Sequence, residues 1–315
     1  MVRPNISVKI GKMKLKNPVM VASGTFGEEY GELIDITSLG AVVTKTITLK
    51  PRIGNPPPRL VETPSGMLNS IGLENKGLDF FIKNKLPIFG KFKTPLIVSI
   101  AGDDEDEFER LAKALSETKK ISALELNLSC PNLIRGTGYG ERVTGKETGI
   151  IAQDEKEVYR IVEKVRKATD LTVIAKLSPN VTDIGKMARS AEAAGADSIS
   201  LVNTFLGMAI DIETKRPRLG NITGGLSGPA IRPLAVRMVW DVYNSVKIPI
   251  IGMGGIMDYR DALEFIIAGS AAVQVGTANF VEPSAPVRII AGIKNHLSEN
   301  KINDITKLIG HMERS

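Results

Sequence analysis

The chain has 315 residues, of which 43% are hydrophobic and 24% charged. That is the composition of a globular chain rather than a disordered or fibrous one, and the length admits either two ordinary domains or one large single-core barrel. The formal charge of +6 arises from 41 Lys and Arg dispersed among 35 Asp and Glu, a balance that favours anionic ligands but forms no basic stripe suited to nucleic acid. A single cysteine excludes an intrachain disulfide, and it excludes an iron–sulfur cluster held by this chain alone, because such clusters usually take about four thiolates.

In chain order, the opening segment MVRPNISVKIGKMKLKN is polar and interrupted by Pro and Gly. It has neither the apolar centre of a signal peptide nor a membrane-spanning run, so a cytoplasmic location is expected. Eight β-rich runs then alternate with helical patterns: Val19 to Ser23, Ala41 to Thr46, Leu96 to Ala101, Ala123 to Ser129, Thr172 to Leu177, Ser198 to Asn203, Ile248 to Met253 and Ala272 to Thr277. This alternation is that of parallel strands joined by crossover helices.

Phe108, Leu111, Ala112 and Leu115 share one helical face after the third run. Val158, Ile161, Val162 and Val165 do so after the fourth, and Ile184, Met187, Ala188 and Ala191 after the fifth. Asp154 and Asp258 stand where an N-cap is wanted. No GxGxxG follows the first run, as an open dinucleotide-binding sheet would normally require. No linker breaks the pattern, so the expected architecture is α/β: a single-domain (β/α)8 TIM barrel spanning residues 1–315.

Three connections are too long for plain βα turns: Leu49 to about Leu73, Pro131 to Ile150, and Phe205 to Pro229. All three follow strands and so should lie over the C-terminal mouth, where barrel enzymes keep their chemistry. The fourth run, ALELNLSCPN, ends in Asn127, Cys130 and Asn132. A lone cysteine is more often a small buried apolar residue than a reactive one, yet this one sits just past a strand end. The two histidines, His296 and His311, end no barrel strand, so a thiolate base suits Cys130 better than a Cys–His nucleophile.

Asn69, Asn127, Asn132 and Asn203, with Thr204, belong to segments expected at the same mouth, and amides offer paired donors and acceptors to a flat polar ring. Each could instead be a turn residue. Lys45 and Lys176 end the second and fifth runs. A buried ammonium needs an anion nearby, so both suggest stabilisation of negative charge on a ligand, unless they extend to the rim. Gly252 to Gly255 after the seventh run and Gly276 to Asn279 after the eighth occupy the two positions where barrels commonly hold a phosphate, and Gly228 adds a third turn.

With those residues in hand, the sequence resembles the dihydroorotate dehydrogenase family, most closely its branch with a separate NAD-linked electron-transfer subunit. The resemblance is carried by NPVMVASGTFG, VVTKTIT, NSIGLEN, NLSCPN, AKLSPNVTDI, LVNT, GMAID, GGLSGPAIRP, GMGGI and VQVGTA, over nearly the whole chain. It implies oxidation of dihydroorotate to orotate in pyrimidine biosynthesis, with flavin mononucleotide (FMN) across the barrel mouth. Ala22, Ser23, Lys45, Thr46, Ser99, Asn127, Lys176 and Val202 would surround the ring and ribityl chain, and Gly228, Gly254, Gly255, Gly276 and Thr277 the phosphate. Lys45, Asn69, Asn127, Asn132, Asn203 and Thr204 would hold the substrate, while Cys130 takes the C5 proton as hydride leaves C6 for flavin N5.

A cysteine rather than a serine at position 130 is the mark of the family's cytosolic branches. The resemblance further implies a homodimer within a heterotetramer, whose partner subunit carries FAD, an iron–sulfur cluster and the route to NAD. Two departures stand out: Ser99 occupies a position where the family has Asn, and the segment from Arg135 to Gly149 is longer than the family pattern. Alternatives are a uracil- or thymine-specific barrel of the dihydropyrimidine dehydrogenase type, a fumarate-linked enzyme, a phosphate-binding aldolase using Lys176 as a Schiff base, and a basic scaffold.

Overall fold

A computed structural model describes residues 4–128 and 153–313. Eight parallel strands close into a barrel: Val19–Val21, Ala41–Val43, Leu96–Ile100, Ala123–Asn127, Thr172–Lys176, Ser198–Leu201, Ile250–Met253 and Ala272–Val275. Pairing of Val273 with Val19 joins the eighth strand to the first. Every residue in these strands is buried. Both faces are covered, by the barrel interior and by the helices, which explains why the strands read as near-continuous apolar runs.

The ladders are shorter than the β-rich runs suggest. Pairing on the first and second strands ends at Val21 and Val43, and the eighth pairs through Val275. Past these points the ladders give way to isolated bonds, such as Ala22 N–H to Val275 O at 2.8 Å and Thr44 N–H to Ile97 O at 3.0 Å, and to an isolated bridge between Ile47 and Ile100. The strand ends splay there, so residues 22, 23, 45, 46, 202, 203, 276 and 277 leave the sheet to form a rim. Lys45 accordingly stands beyond the second strand rather than at its end.

The outer helices form as their apolar faces require. Glu105–Ser116 buries Phe108, Leu111, Ala112 and Leu115, and the Asp104 carboxylate accepts from the N–H of Glu107. Glu155–Ala168 buries Val158, Ile161, Val162 and Val165 behind an Asp154 cap. Ile184–Ala193 is capped by Asp183, and Tyr259–Ala268 starts in a capping box between Asp258 and Asp261. Arg232–Tyr243 and Ala285–Glu299 continue the ring of neighbouring helices. No helix among the described residues is long and apolar enough to cross a membrane.

Two features were not foreseen in the sequence. The opening segment forms a hairpin, Val8–Ile10 with Met13–Leu15, turning at Gly11. Its alternate residues Val8, Ile10, Met13 and Leu15 are buried, and the Lys12 N–H donates to Thr172 Oγ1 at the start of the fifth strand. The hairpin therefore plugs the N-terminal end of the barrel.

At the other end, two of the long connections join in one antiparallel sheet, in the order Phe205–Met208, Thr223–Ser227, Gly66–Asn69, Leu60–Thr63. Val61, Leu68 and Leu219 give this cover a small core of its own, separate from that of the barrel. The third connection lies outside the described residues.

Candidate active site

Between the barrel mouth and the cover sheet lies a cavity of about 450 Å³, within the usual range for small-ligand sites. The first and second strand ends contribute Ala22, Ser23, Lys45 and Thr46, and the fourth and fifth contribute Asn127 and Lys176. The sixth contributes Val202, Asn203 and Thr204; the seventh and eighth add Gly254, Gly255, Gly276 and Thr277. The cover sheet and the turn after it supply Asn69 and Gly228. Segments far apart in sequence thus meet because parallel strands all deliver their C-terminal ends to one face.

A chain of hydroxyls and amides orders the floor. Asn127 Nδ2 donates to Thr46 Oγ1 at 3.1 Å, and Thr46 Oγ1 also lies 3.1 Å from Ser23 Oγ and 2.8 Å from Ser99 Oγ. A hydroxyl has one proton and two lone pairs. Thr46 therefore donates to one serine and accepts from the other while it receives the amide. Asn203 Nδ2 reaches Asn127 Oδ1 at 3.4 Å, and the Asn203 carbonyl oxygen Oδ1 accepts from the Thr204 N–H at 2.8 Å.

Ser99 is fully buried and does not line the cavity. Its hydroxyl is spent on Thr46, one layer below the surface that a ligand would touch. Cys130 and Asn132 lie outside the described residues, two and four positions beyond Leu128.

The cover is built on close backbone approach. A Cβ at Gly225 would stand 1.8 Å from Thr204 Oγ1, so only glycine lets Thr204 tuck beneath the sheet. Asn69 Nδ2 donates to Gly225 O at 3.2 Å and ties the two halves of the cover together. At the far side of the cavity the opposite holds for Gly276, whose Cβ would meet nothing nearer than Ala22 Cβ at 3.5 Å. A side chain there would fill ligand space. Gly228, Gly254 and Gly255 adopt φ of 94°, 133° and 74°, left-handed geometries that turn the backbone toward the cavity. Thr277 Oγ1 donates to Ser227 Oγ at 2.9 Å beside them.

Sequence reasoning missed several members. Asn180, in the LSPN segment, donates to Thr204 O at 3.2 Å and accepts from the Leu206 N–H at 2.9 Å, which anchors the start of the cover strand. Phe280, half exposed at the rim, lines the cavity and a second one beside it. Glu125 lies within the fourth strand, completely buried beneath Lys176, with Nζ and Oε2 3.6 Å apart. Gln274, donating to Glu125 from the eighth strand, also reaches the cavity. A carboxylate inside an apolar run such as ALELN was the available signal, since a buried charge must have a partner.

Two lysines, Lys45 and Lys176, and one carboxylate, Glu74, are the charged groups lining the cavity among the described residues. Glu74 is held by Arg59, with Nη1 to Oε2 at 2.5 Å. The site as a whole therefore favours an anionic ligand.

Comparison with known proteins agrees with this arrangement. Residues 5–297 match the family model of dihydroorotate dehydrogenase. The catalytic subunit of dihydroorotate dehydrogenase B (NAD(+)) from Trichlorobacter lovleyi is 52% identical over 313 residues, covering 99% of each chain. That from Desulforamulus reducens is 53% identical over 308 residues, covering 97% of this chain and 98% of the relative. Among solved structures, DHODH from Eimeria tenella, crystallised with ferulenol, shares the fold with a TM-score of 0.78, covering 98% of this chain and 88% of that one at 24% identity. On family match, identity over full length and barrel architecture together, the chain belongs to the dihydroorotate dehydrogenase family.

Proposed function

We propose that the mouth cavity binds FMN and that Cys130 is the base when dihydroorotate is oxidised to orotate, the reaction of the family to which this chain belongs. The observation that carries this reading is the convergence on one cavity of Lys45, Lys176, the amides and the three glycine turns. Bound there, the flavin supplies a two-electron acceptor for the hydride that leaves C6 of the substrate. Cys130, as thiolate, takes the proton from C5, and the electron pair of that C–H bond becomes the second bond between C5 and C6.

The residues present fit such a cofactor. Gly276 leaves open the space a Cβ would fill, and the turns at Gly228, Gly254 and Gly255 offer backbone N–H groups suited to a phosphate, with the Thr277 hydroxyl beside them. Ala22, Ser23, Thr46 and Val202 would border the ring, with Ser99 acting only through Thr46. Asn69, Asn127, Asn132, Asn203 and Thr204 would read the carbonyl and N–H edges of the pyrimidine, and Lys45 its carboxylate. Lys176, which lines the same cavity, would offset the negative charge that a flavin gains on reduction.

The relatives are catalytic subunits of an NAD-linked enzyme by name, so the chain works with a separate electron-transfer subunit. We assign to that partner an iron–sulfur cluster and FAD leading to NAD, because one cysteine here is too few for a cluster. A homodimer of this chain within a heterotetramer completes the proposed assembly.

Anaerobic titration tests the proposal. Protein reconstituted with FMN should lose its yellow colour on addition of dihydroorotate and keep it with dihydrouracil. Failure to take up FMN would remove the cofactor assignment, and bleaching by dihydrouracil alone would remove the substrate assignment.

A further inference from the structure

The carboxylate of Glu125 sits one layer below the cavity floor, fully buried, and side chains from three other strands converge on it. Gln274 Nε2 donates to Oε1 at 2.7 Å from the eighth strand, and Ser200 Oγ donates to the same oxygen at 3.1 Å from the sixth. The second oxygen, Oε2, accepts no hydrogen bond; the group facing it is the Lys176 ammonium on the fifth strand, 3.6 Å away. Lys176 is itself only 6% exposed, yet it lines the cavity while Glu125 does not.

Charge-assisted N–H···O bonds close to about 2.7–2.9 Å, so this pair is compensated in charge without a formed hydrogen bond. The ammonium protons remain available to an acceptor on the cavity side. A fixed anion, held in place by an amide and a hydroxyl, thus stands behind the lysine that faces the ligand.

We propose that Glu125 is a positioning residue that sets, through Lys176, the reduction potential of the flavin bound above it; this rests on the flavin reading given above. With the carboxylate in place, the positive charge of Lys176 is already matched, and the site gives the extra negative charge of a reduced flavin only moderate stabilisation. The potential is kept low, so that electrons arriving from substrate can leave for the partner subunit. Among the described residues the other charges at the cavity are Lys45 and Glu74, and Arg59 binds the latter. Neither forms an ion pair with Glu125 or Lys176.

The test is the midpoint potential of the bound flavin in wild type, Glu125→Gln and the double variant Glu125→Gln/Lys176→Gln, with flavin affinity and melting temperature measured beside it. Removal of the carboxylate alone should favour reduced over oxidised flavin about tenfold, an upward shift of about 30 mV for a two-electron couple. Removal of both charges should return the potential close to that of wild type.

A lowered melting temperature with an unmoved potential in Glu125→Gln would reduce the pair to a structural one and overturn the proposal. An equal upward shift in single and double variants would overturn it too, since Glu125 would then act without Lys176. Should Glu125→Gln not fold, Glu125→Asp withdraws the carboxylate from Lys176 by one methylene. It should raise the potential by a smaller amount, and an unchanged value would count against us. Wild-type protein that binds no flavin at all would instead sink the cofactor reading, a result distinct from any of these.

Discussion

The two ends of the barrel solve opposite problems with the same kind of element. At the base, a hairpin of three-residue strands inserts Val8, Ile10, Met13 and Leu15 into a continuous apolar core. At the mouth, a four-stranded sheet with several glycines spans a cavity whose apolar lining carries lysines, amides and hydroxyls, and it keeps its own small core apart. Both are antiparallel caps on a parallel barrel. The base is built for burial, whereas the mouth is built for close backbone approach over the cavity in which we propose that ligands bind.

That contrast can be tested by substitutions at the two ends. The largest effect is expected just past the mouth end of the fourth strand. Cys130→Ala should bind flavin normally and slow flavin reduction by dihydroorotate by about 10²–10⁴-fold, the usual cost of losing a positioned base. Stopped-flow absorbance reads it directly, and an unchanged rate would take Cys130 out of the mechanism.

Next comes the base. Leu15 is fully buried, and Leu15→Ala should cost about 2–5 kcal/mol of stability through lost burial and the cavity left behind. Chemical denaturation would measure the loss. The KM of the protein that remains folded should not move; a raised KM would mean that the base communicates with the mouth.

Smaller still is Gly225→Ala on the cover. Its Cβ would collide with the Thr204 hydroxyl, and the shift needed to relieve such a contact costs about 1–3 kcal/mol. Here KM for dihydroorotate should rise at least as clearly as stability falls, the reverse of the pattern at Leu15. If the two variants behaved alike in steady-state kinetics, the division between the ends would fail.

The same division explains what the sequence made legible. The eight barrel strands could be found because burial on both faces leaves largely apolar runs, such as VMV in the first strand and AVV in the second. The helices could be found because residues such as Val158, Ile161, Val162 and Val165 repeat at helical spacing behind the capping Asp154. The rim residues followed from simple topology: a parallel barrel gathers its strand ends, so Lys45, Asn127, Lys176, Asn203 and the late glycines had to meet.

The caps resisted reading because the base strands are short and the partners of the mouth strands are distant. KIGKMKL alternates apolar and lysine residues over only a few positions, too few to separate a hairpin from a coil. The cover strand Gly66–Asn69 pairs with Thr223–Ser227 about 160 residues onward, and a run of glycines gives no periodic signal at all. Ser99 read as a site residue because the resemblance puts it where the family has Asn, and its hydroxyl turns to Thr46. Glu125 was hidden for the complementary reason: its partners Lys176, Ser200 and Gln274 lie on other strands, and no local pattern announces them.

The hairpin at the base has one more consequence, for how damage spreads. Its buried residues belong to the same apolar cluster as the barrel strands, so a void opened there should be felt throughout the scaffold. The cover keeps a cluster of its own, and a fault in it should stay local.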